Sequence, residues 1–493
     1  MSGAGPDALR ADLERAAEAL QAARFPEAAS LLQSILRRDP NNFAALTNFA
    51  GVLAQLSRYD EAIAACDAAL KLAPGDPRAL NNKALALSAL NRPEEAIAHF
   101  DAALQANPSH VNALINRGAA LQALGRAEEA IDSIDRALRL DSNNASAHYY
   151  RAMGLYLLNR RSEALAAFDR AARLAPNEAD YEYSKGIALL AFGAWREAWP
   201  LFEQRWRAKR VRVSQARAGG EPAWSGGRID GLLRIWAEQG VGDQVLFASL
   251  LSLARARAPR VHLECDRRLA PLFRRSFPWL EDIIAAGAPA AAAQAQCSLG
   301  GLGAALSVSP DELSGAPYLI ADPAQRAATR ARYEALAQGR PIIGISWFSE
   351  NPEFGRYKSS ALEEWEPLLR REALFINLQY HSKPEDIAAV QTRFGCTIHT
   401  DPDVNQTLDL DAFAAQIAAV DEMISVSNSG VHMAGALGAR CTMLAPPGRG
   451  LLWYWGMEGE TTPWYASLRI VRRAPGQAWT ASIAQIADRL APR

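Results

Sequence analysis

The chain has no tryptophan before Trp195, and all 12 lie from there onward. That asymmetry marks two kinds of protein joined end to end. Cysteine is scarce and scattered: Cys66, Cys265, Cys297, Cys396 and Cys441 form no CxxC pair. This excludes a disulfide framework and a structural zinc site, and points to a reducing compartment. Charge of one sign is missing too. The formal net charge is −1, so nothing would draw nucleic acid or an anionic membrane from a distance. No apolar run reaches the ~18 residues a membrane span requires. Residues 1–20 alternate charge with alanine and lack the apolar core of a secretion signal. The expected location is the cytoplasm. A length of 493 residues predicts several domains.

What is present begins with a ruler. Pro40, Pro74, Pro108 and Pro176 share one 34-residue step, with Ser142 in the remaining place. Ala28, Ala62, Ala96, Ala130, Ala164 and Ala198 keep the same step, each preceded by a glutamate. Leu32, Phe100, Ile134, Phe168 and Phe202 follow it as well, with Cys66 as the smaller exception. Small residues at a fixed period let two helices approach closely where they cross. The pattern resembles the tetratricopeptide repeat (TPR). About five repeats are expected over residues 9–178 and a last one to about 207. Such arrays stack into a superhelix that binds protein segments.

The carboxyl-terminal part reads as alternating strands and helices, which predicts parallel sheets. After a glycine- and arginine-rich linker, strands are expected at 232–238, 260–265 and 280–285, with helices at 244–257 and 267–276 between them. Residues 286–303 read as loop and broken helix. The turn Gly240-Val-Gly242-Asp243 sits where open sheets place ligands, and its glycines allow close approach of a substrate. Asp243 near a helix start would stay ionised, as a base must. Simple helix capping is the competing account of Asp243.

A second sheet is expected from about residue 340, with Trp347 closing its first strand and Lys358 in the loop that follows. The run Phe375–Tyr380 reads as a strand ending in Gln379 and Tyr380. The strand at 421–426 leads into Asn428-Ser429-Gly430-Val-His432 and a helix. Unpaired N–H groups and the positive end of that helix suit a phosphate, and His432 could touch the same anion. The competing account is an ordinary βα unit with His432 half-exposed. A strand at 468–472 and a terminal helix from 479 close the chain. Asp401 and Asp403 have Asp-x-Asp spacing but lie in a polar loop, so no metal site is expected.

Two halves carrying Gly240-Val-Gly242-Asp243 and Asn428-Ser429-Gly430-Val-His432 resemble a GT-B glycosyltransferase. The layout is similar to bacterial TPR proteins with a heptosyltransferase-like carboxyl half, a group including flagellin glycosyltransferases, and parallels the protein O-GlcNAc transferases. The implied fold class is α plus α/β, multidomain: an all-α TPR superhelix followed by a GT-B fold of two Rossmann-like domains. The implied division is 1–207 for the repeats, 208–231 for the linker, 232–335 and 340–476 for the Rossmann-like domains, and 477–493 for the terminal helix.

The resemblance assigns roles position by position. Asp243 would be the general base and Lys358 the cation that neutralises a departing diphosphate. Asn428, Ser429, Gly430 and His432 would hold donor phosphate and sugar, with Gly240, Gly242, Trp347 and Gln379 completing the nucleotide-sugar site. Asn48, Asn82 and Asn116 occupy one place in three successive repeats, and by resemblance would hold acceptor backbone; Tyr150 and Ser184 end that ladder. Asparagine at this place is also common in repeats of every function. Many relatives have Asp-Ser/Thr-Gly where this chain has Asn428-Ser429-Gly430, which points to a different donor.

The implied activity is metal-independent transfer of a hexosyl, heptosyl or nonulosonyl group from a nucleotide-sugar. The acceptor would be a protein held by the repeats, and flagellin is the one the resemblance names first. No cofactor beyond that donor, no nucleic acid and no integral membrane segment are implied. A glycolipid glycosyltransferase and a non-catalytic TPR scaffold are the alternatives.

Overall fold

A computed structural model describes residues 6–209, 220–286, 292–352 and 354–490. The chain divides into two compact units, Met1–Asn177 and Glu178–Arg493. Part of the expected linker, residues 210–219, lies outside the described residues.

The first unit is five antiparallel helix pairs, from Pro6–Gln21 with Phe25–Arg38 to Ala145–Leu157 with Arg161–Leu174. Ala28, Ala62, Ala96, Ala130 and Ala164 are fully buried where paired helices cross, beside Leu32, Cys66, Phe100, Ile134 and Phe168. The first helix of each later pair is capped by a side chain in register: Asn42, Asp76, His110 and Asn144 accept from the N–H of Ala45, Ala79, Ala113 and Ala147. Those bonds satisfy donors that a helix start otherwise leaves open. The second helices have no side-chain cap. Instead an arginine at the cap position pairs with the repeat glutamate three residues on, as Arg58 does with Glu61 and Arg126 with Glu129.

The unit of repeats closes at Asn177, one helix pair earlier than the boundary expected at 207. The sixth pair, Ala179–Ala191 and Trp195–Phe202, belongs to the second unit because its tryptophans pack there. Trp195 stacks on Trp464 with ring centres 5.0 Å apart, and Trp199 Nε1 donates to the Val308 carbonyl at 2.7 Å.

Two parallel sheets follow. The first joins β1 (Leu232–Trp236), β2 (Arg260–Cys265), β3 (Asp282–Ala285) and β4 (Ala295–Ser298) in the order β3-β2-β1-β4. The second joins β5 (Ile342–Ser346), β6 (Leu374–Asn377), β7 (Thr397–His399), β8 (Glu422–Val426), β9 (Cys441–Ala445) and β10 (Leu468–Arg472) in the order β10-β9-β8-β5-β6-β7. All pairings are parallel. β1, β5 and β9 are buried along their whole length, as strands covered on both faces must be.

Two local readings are corrected. The stretch read as loop contains β4, which pairs with β1 from Leu233–Ala295 to Trp236–Ser298. The helix expected to open at residue 244 begins at Val241, with Gly240 at its cap, and is broken before a second short helix, Leu251–Arg255.

Candidate functional site

Ligands of open α/β sheets sit beyond the carboxyl ends of strands, where strand order reverses. In the first sheet that reversal falls between β1 and β4, and in the second between β5 and β8. Glu238, Gly240, Gly242 and Asp243 follow β1. Trp347 and Lys358 follow β5, and Asn428, Ser429, Gly430 and His432 follow β8.

Two helix starts meet there. Helix Val241–Ala248 packs on helix Ser429–Leu437. A Cβ on Gly242 would stand 3.2 Å from His432 Cδ2 and 3.5 Å from Ser429 Cα. Asp243 lies in the first turn of its helix, which has no side-chain cap, so capping does not account for it.

Burial first, then the charge of Glu238, pushes the Asp243 carboxyl up to about 6, against the pull of Lys358. Lys358 is buried, and that burial pushes its ammonium down to about 8 despite Asp243. Both shifts are chiefly desolvation, the cost of holding a charge away from water. At neutral pH the pair therefore exists mostly as carboxylate and ammonium. Lys358 makes no hydrogen bond to the described residues and lends its charge to the site.

His432 is buried rather than half-exposed. Burial, then the neighbouring Lys358 charge, pushes it down to about 3, so it is a neutral imidazole. Its ring stacks on Trp455 with centroids 4.8 Å apart, and Nδ1 lies 3.0 Å from the Tyr465 hydroxyl.

Several expected site residues spend their side chains on the scaffold. Gln379 Oε1 accepts from Ser346 Oγ at 2.8 Å, Trp347 N at 3.0 Å and Phe348 N at 2.9 Å, which holds the start of the loop toward Lys358. Asn428 Oδ1 caps its own helix through Gly430 N at 3.0 Å, while Nδ2 donates to Ser346 Oγ at 2.8 Å. Asn428 thus ties β8 to β5 across the strand reversal. Trp347 lies in the core of the second sheet. A Cβ on Gly430 would stand 2.9 Å from Met423 Cε, so that glycine serves close packing. Ser429 is half-buried and Gly240 exposed.

In the repeats, Asn48 is exposed while Asn82 and Asn116 are half-buried. Asn82 Nδ2 donates to the Thr47 carbonyl at 3.3 Å and Asn116 Nδ2 to Asn81 Oδ1 at 3.1 Å, so one donor of each links neighbouring repeats. Asp401 accepts from Arg332 and from the Tyr333 hydroxyl, both at 2.8 Å, as a structural carboxylate would.

Other residues of the site carried no signal strong enough to be singled out from sequence. Glu238 is buried and held by the fully buried Arg205 at 3.2 Å. Arg205 also pairs with Glu203 and Ser298. Burial raises Glu238, and Arg205 opposes that rise. Tyr465, Tyr454 and Trp455 enclose His432. A cavity of ≈ 320 Å³ lined by Arg440, Ser467, Arg469 and Arg489 lies elsewhere, at the amino-terminal ends of β8, β9 and β10.

The first unit is a tetratricopeptide-repeat array, matching the family of that description over residues 13–77, 81–145 and 145–178. The chain is also similar to Protein FlbA of Caulobacter vibrioides: 32% identical over 320 residues, 60% of this chain and 52% of that protein. It therefore spans about half the length of that relative. Solved structures it resembles include a thermophilic TPR protein of Thermus thermophilus and a TPR protein of Parabacteroides merdae. The first is 22% identical with a TM-score of 0.34, covering 37% of this chain and 99% of that one. The second is 20% identical with a TM-score of 0.35, covering 40% and 79%. Among the described residues no helix is long and apolar enough to cross a membrane.

Proposed function

We propose that the second unit is a GT-B glycosyltransferase that moves a sugar from a nucleotide-sugar to a hydroxyl of a protein held by the repeats. The observation that carries this reading is that Asp243 and Lys358 lie near enough for each to feel the other's charge, beside two facing helix starts, each at a strand reversal. Asp243 takes the proton of the acceptor hydroxyl, whose oxygen then bonds to the anomeric carbon. The bond from that carbon to the diphosphate oxygen breaks, and the electron pair leaves with the diphosphate. Lys358 and the amino terminus of helix Ser429–Leu437 meet the charge that develops there. A carboxyl near 6 is ionised at neutral pH yet more basic than an exposed aspartate, which suits a general base. Flagellin is the acceptor to try first, on the resemblance alone.

Thermal shift with UDP, GDP, ADP and CMP tests the donor site, because a ligand that binds only the native state raises its stability. One nucleotide should raise the melting temperature of the wild type and fail to do so in Lys358→Ala. Asp243→Ala should keep that shift but lose sugar transfer. If no nucleotide stabilises the wild type, the second unit is a scaffold and the reading falls.

A further inference from the structure

The face of the second sheet that packs on the terminal helix changes character where the strands begin. Ile424, Leu444 and Val471 share one core with Ile483 and Ile486 of helix Trp479–Arg489. Side chains alternate between faces along a strand. The same face therefore carries Glu422 of β8, Thr442 of β9 and Arg469 of β10, and, one step before β9 and β10, Arg440 and Ser467. The register Met423–Cys441–Leu468 sets Glu422, Arg440 and Ser467 side by side. Met423 N and Cys441 N donate to the carbonyls of Arg440 and Ser467 at 2.9 and 3.3 Å. Where the core would continue there is instead the cavity of ≈ 320 Å³, lined from the helix side by Ile486, Arg489 and Leu490.

Its charges are unevenly matched. Glu460 accepts from Arg469 Nε at 3.1 Å and Nη2 at 2.6 Å, so that guanidinium is engaged. Arg489 stands 3.8 Å from the same carboxylate, too far for a hydrogen bond. The Arg440 guanidinium has no hydrogen bond or ion pair among the described residues. Ser467 Oγ is buried without a hydrogen-bond partner, a state that buried hydroxyls rarely hold unless a ligand or water completes them. Glu422 Oε1 accepts from Thr442 Oγ1 at 2.6 Å, and its other oxygen accepts from no described residue.

From this arrangement we propose that the cavity is a second binding site, for a small hydroxylated phosphate monoester. Arg440 and Arg489 take the phosphate with their forked donors, and Ser467 Oγ donates to it. Glu422 accepts from a ligand hydroxyl, while Ile486 and Leu490 cover the carbon skeleton. The volume lies at the small end of the roughly 300–1,000 Å³ of small-molecule sites, which is more than a bare ion fills. The carboxylate of Glu422 in the wall disfavours a polyanion. The cavity lies at the amino ends of β8 and β9, whereas Asn428 and His432 follow the carboxyl end of β8. The proposal is therefore independent of the glycosyltransferase reading.

Calorimetric titration of the full chain with glucose 6-phosphate, glycerol 3-phosphate, inorganic phosphate and glucose tests it. At least one ester should bind more tightly than inorganic phosphate, and glucose should not bind. Arg440→Ala and Arg489→Ala should each weaken the ester about tenfold or more. Their melting temperatures should stay unchanged, because neither side chain makes a hydrogen bond to the described residues. Glu422→Ala should tighten inorganic phosphate and narrow the advantage of the ester over it. Lys358→Ala should leave ester binding intact. Binding that is lost in Lys358→Ala and kept in Arg440→Ala puts the ester at the helix starts and overturns the proposal. So does the absence of binding by both esters, or inorganic phosphate binding as tightly as either. A failed nucleotide screen would fall on the enzyme reading alone.

Discussion

Gly242 and His432 approach so closely that a Cβ on the glycine would stand 3.2 Å from the imidazole. The contact joins the helix start that follows the first sheet to the one that follows the second. Gly242→Ala should force the His432 ring or its helix to yield, at a cost of about 1–3 kcal/mol for an overpacked site. A lowered melting temperature and reduced transfer are expected. Gly240→Ala is the control. That glycine is exposed, and an added Cβ would lie 4.0 Å from Asp243 Oδ2, so stability should change little.

Activity should be bell-shaped in pH. On the proposed glycosyltransferase reading, transfer needs Asp243 as carboxylate and Lys358 as ammonium. With Asp243 pushed up to about 6 and Lys358 down to about 8, kcat/KM should rise through the first value and fall through the second. Lys358→Arg should remove the alkaline limb, since a guanidinium stays charged throughout that range. A profile flat from pH 5 to 9 would count against both roles.

The same raised Asp243 makes a prediction about stability with the opposite sign. A carboxyl raised in the folded state holds its proton more tightly there than in the unfolded chain. Its contribution is therefore fully favourable below the unfolded value, about 4, and is lost as pH rises toward 6. At neutral pH the ionised form is the costly one. Asp243→Asn should raise the melting temperature at pH 7.5 while abolishing transfer, and at pH 4 the gain should shrink. A variant destabilised at pH 7.5 would mean that the carboxylate is held by something other than substrate.

Several strands were legible where β-branched and apolar residues ran together, although β7 (Thr397–His399) was not placed. β2 and β10 fall where the sequence places them, at both ends. β4 was not legible, because Ala295–Ser298 contains no β-branched residue and becomes a strand by pairing with β1. Asp243 and His432 could be found from the helix starts beside them. The use of an amide could not: Gln379 and Asn428 look like ligand groups until their partners, Ser346 and backbone N–H groups, are known. Arg205 and Glu238 pair across 33 positions of sequence, and no local pattern announces that. The repeat period was plain, yet it concealed a second regularity.

Within each pair the two helices are joined by a residue in the left-handed conformation, and it keeps the repeat step: Ala23, Ser57, Asn91, Gly125, Asn159 and Gly193 all have positive φ. Four residue types fill one place, so composition hid it and only backbone geometry unites it. Glycine adopts this conformation freely, whereas a side chain there costs roughly 1 kcal/mol or more. Ser57 is exposed, with φ 59°, and its hydroxyl accepts only a long bond from Tyr59 Oη at 3.3 Å. Relief of strain should therefore exceed what is lost, and Ser57→Gly should stabilise the first unit by about 0.5–1 kcal/mol. Gly125→Ala, in the same register at φ 76°, should destabilise it by a similar amount. Chemical denaturation followed by circular dichroism at the helix band reads both, and equal melting of the two variants would mean that this turn is not where the repeats store strain.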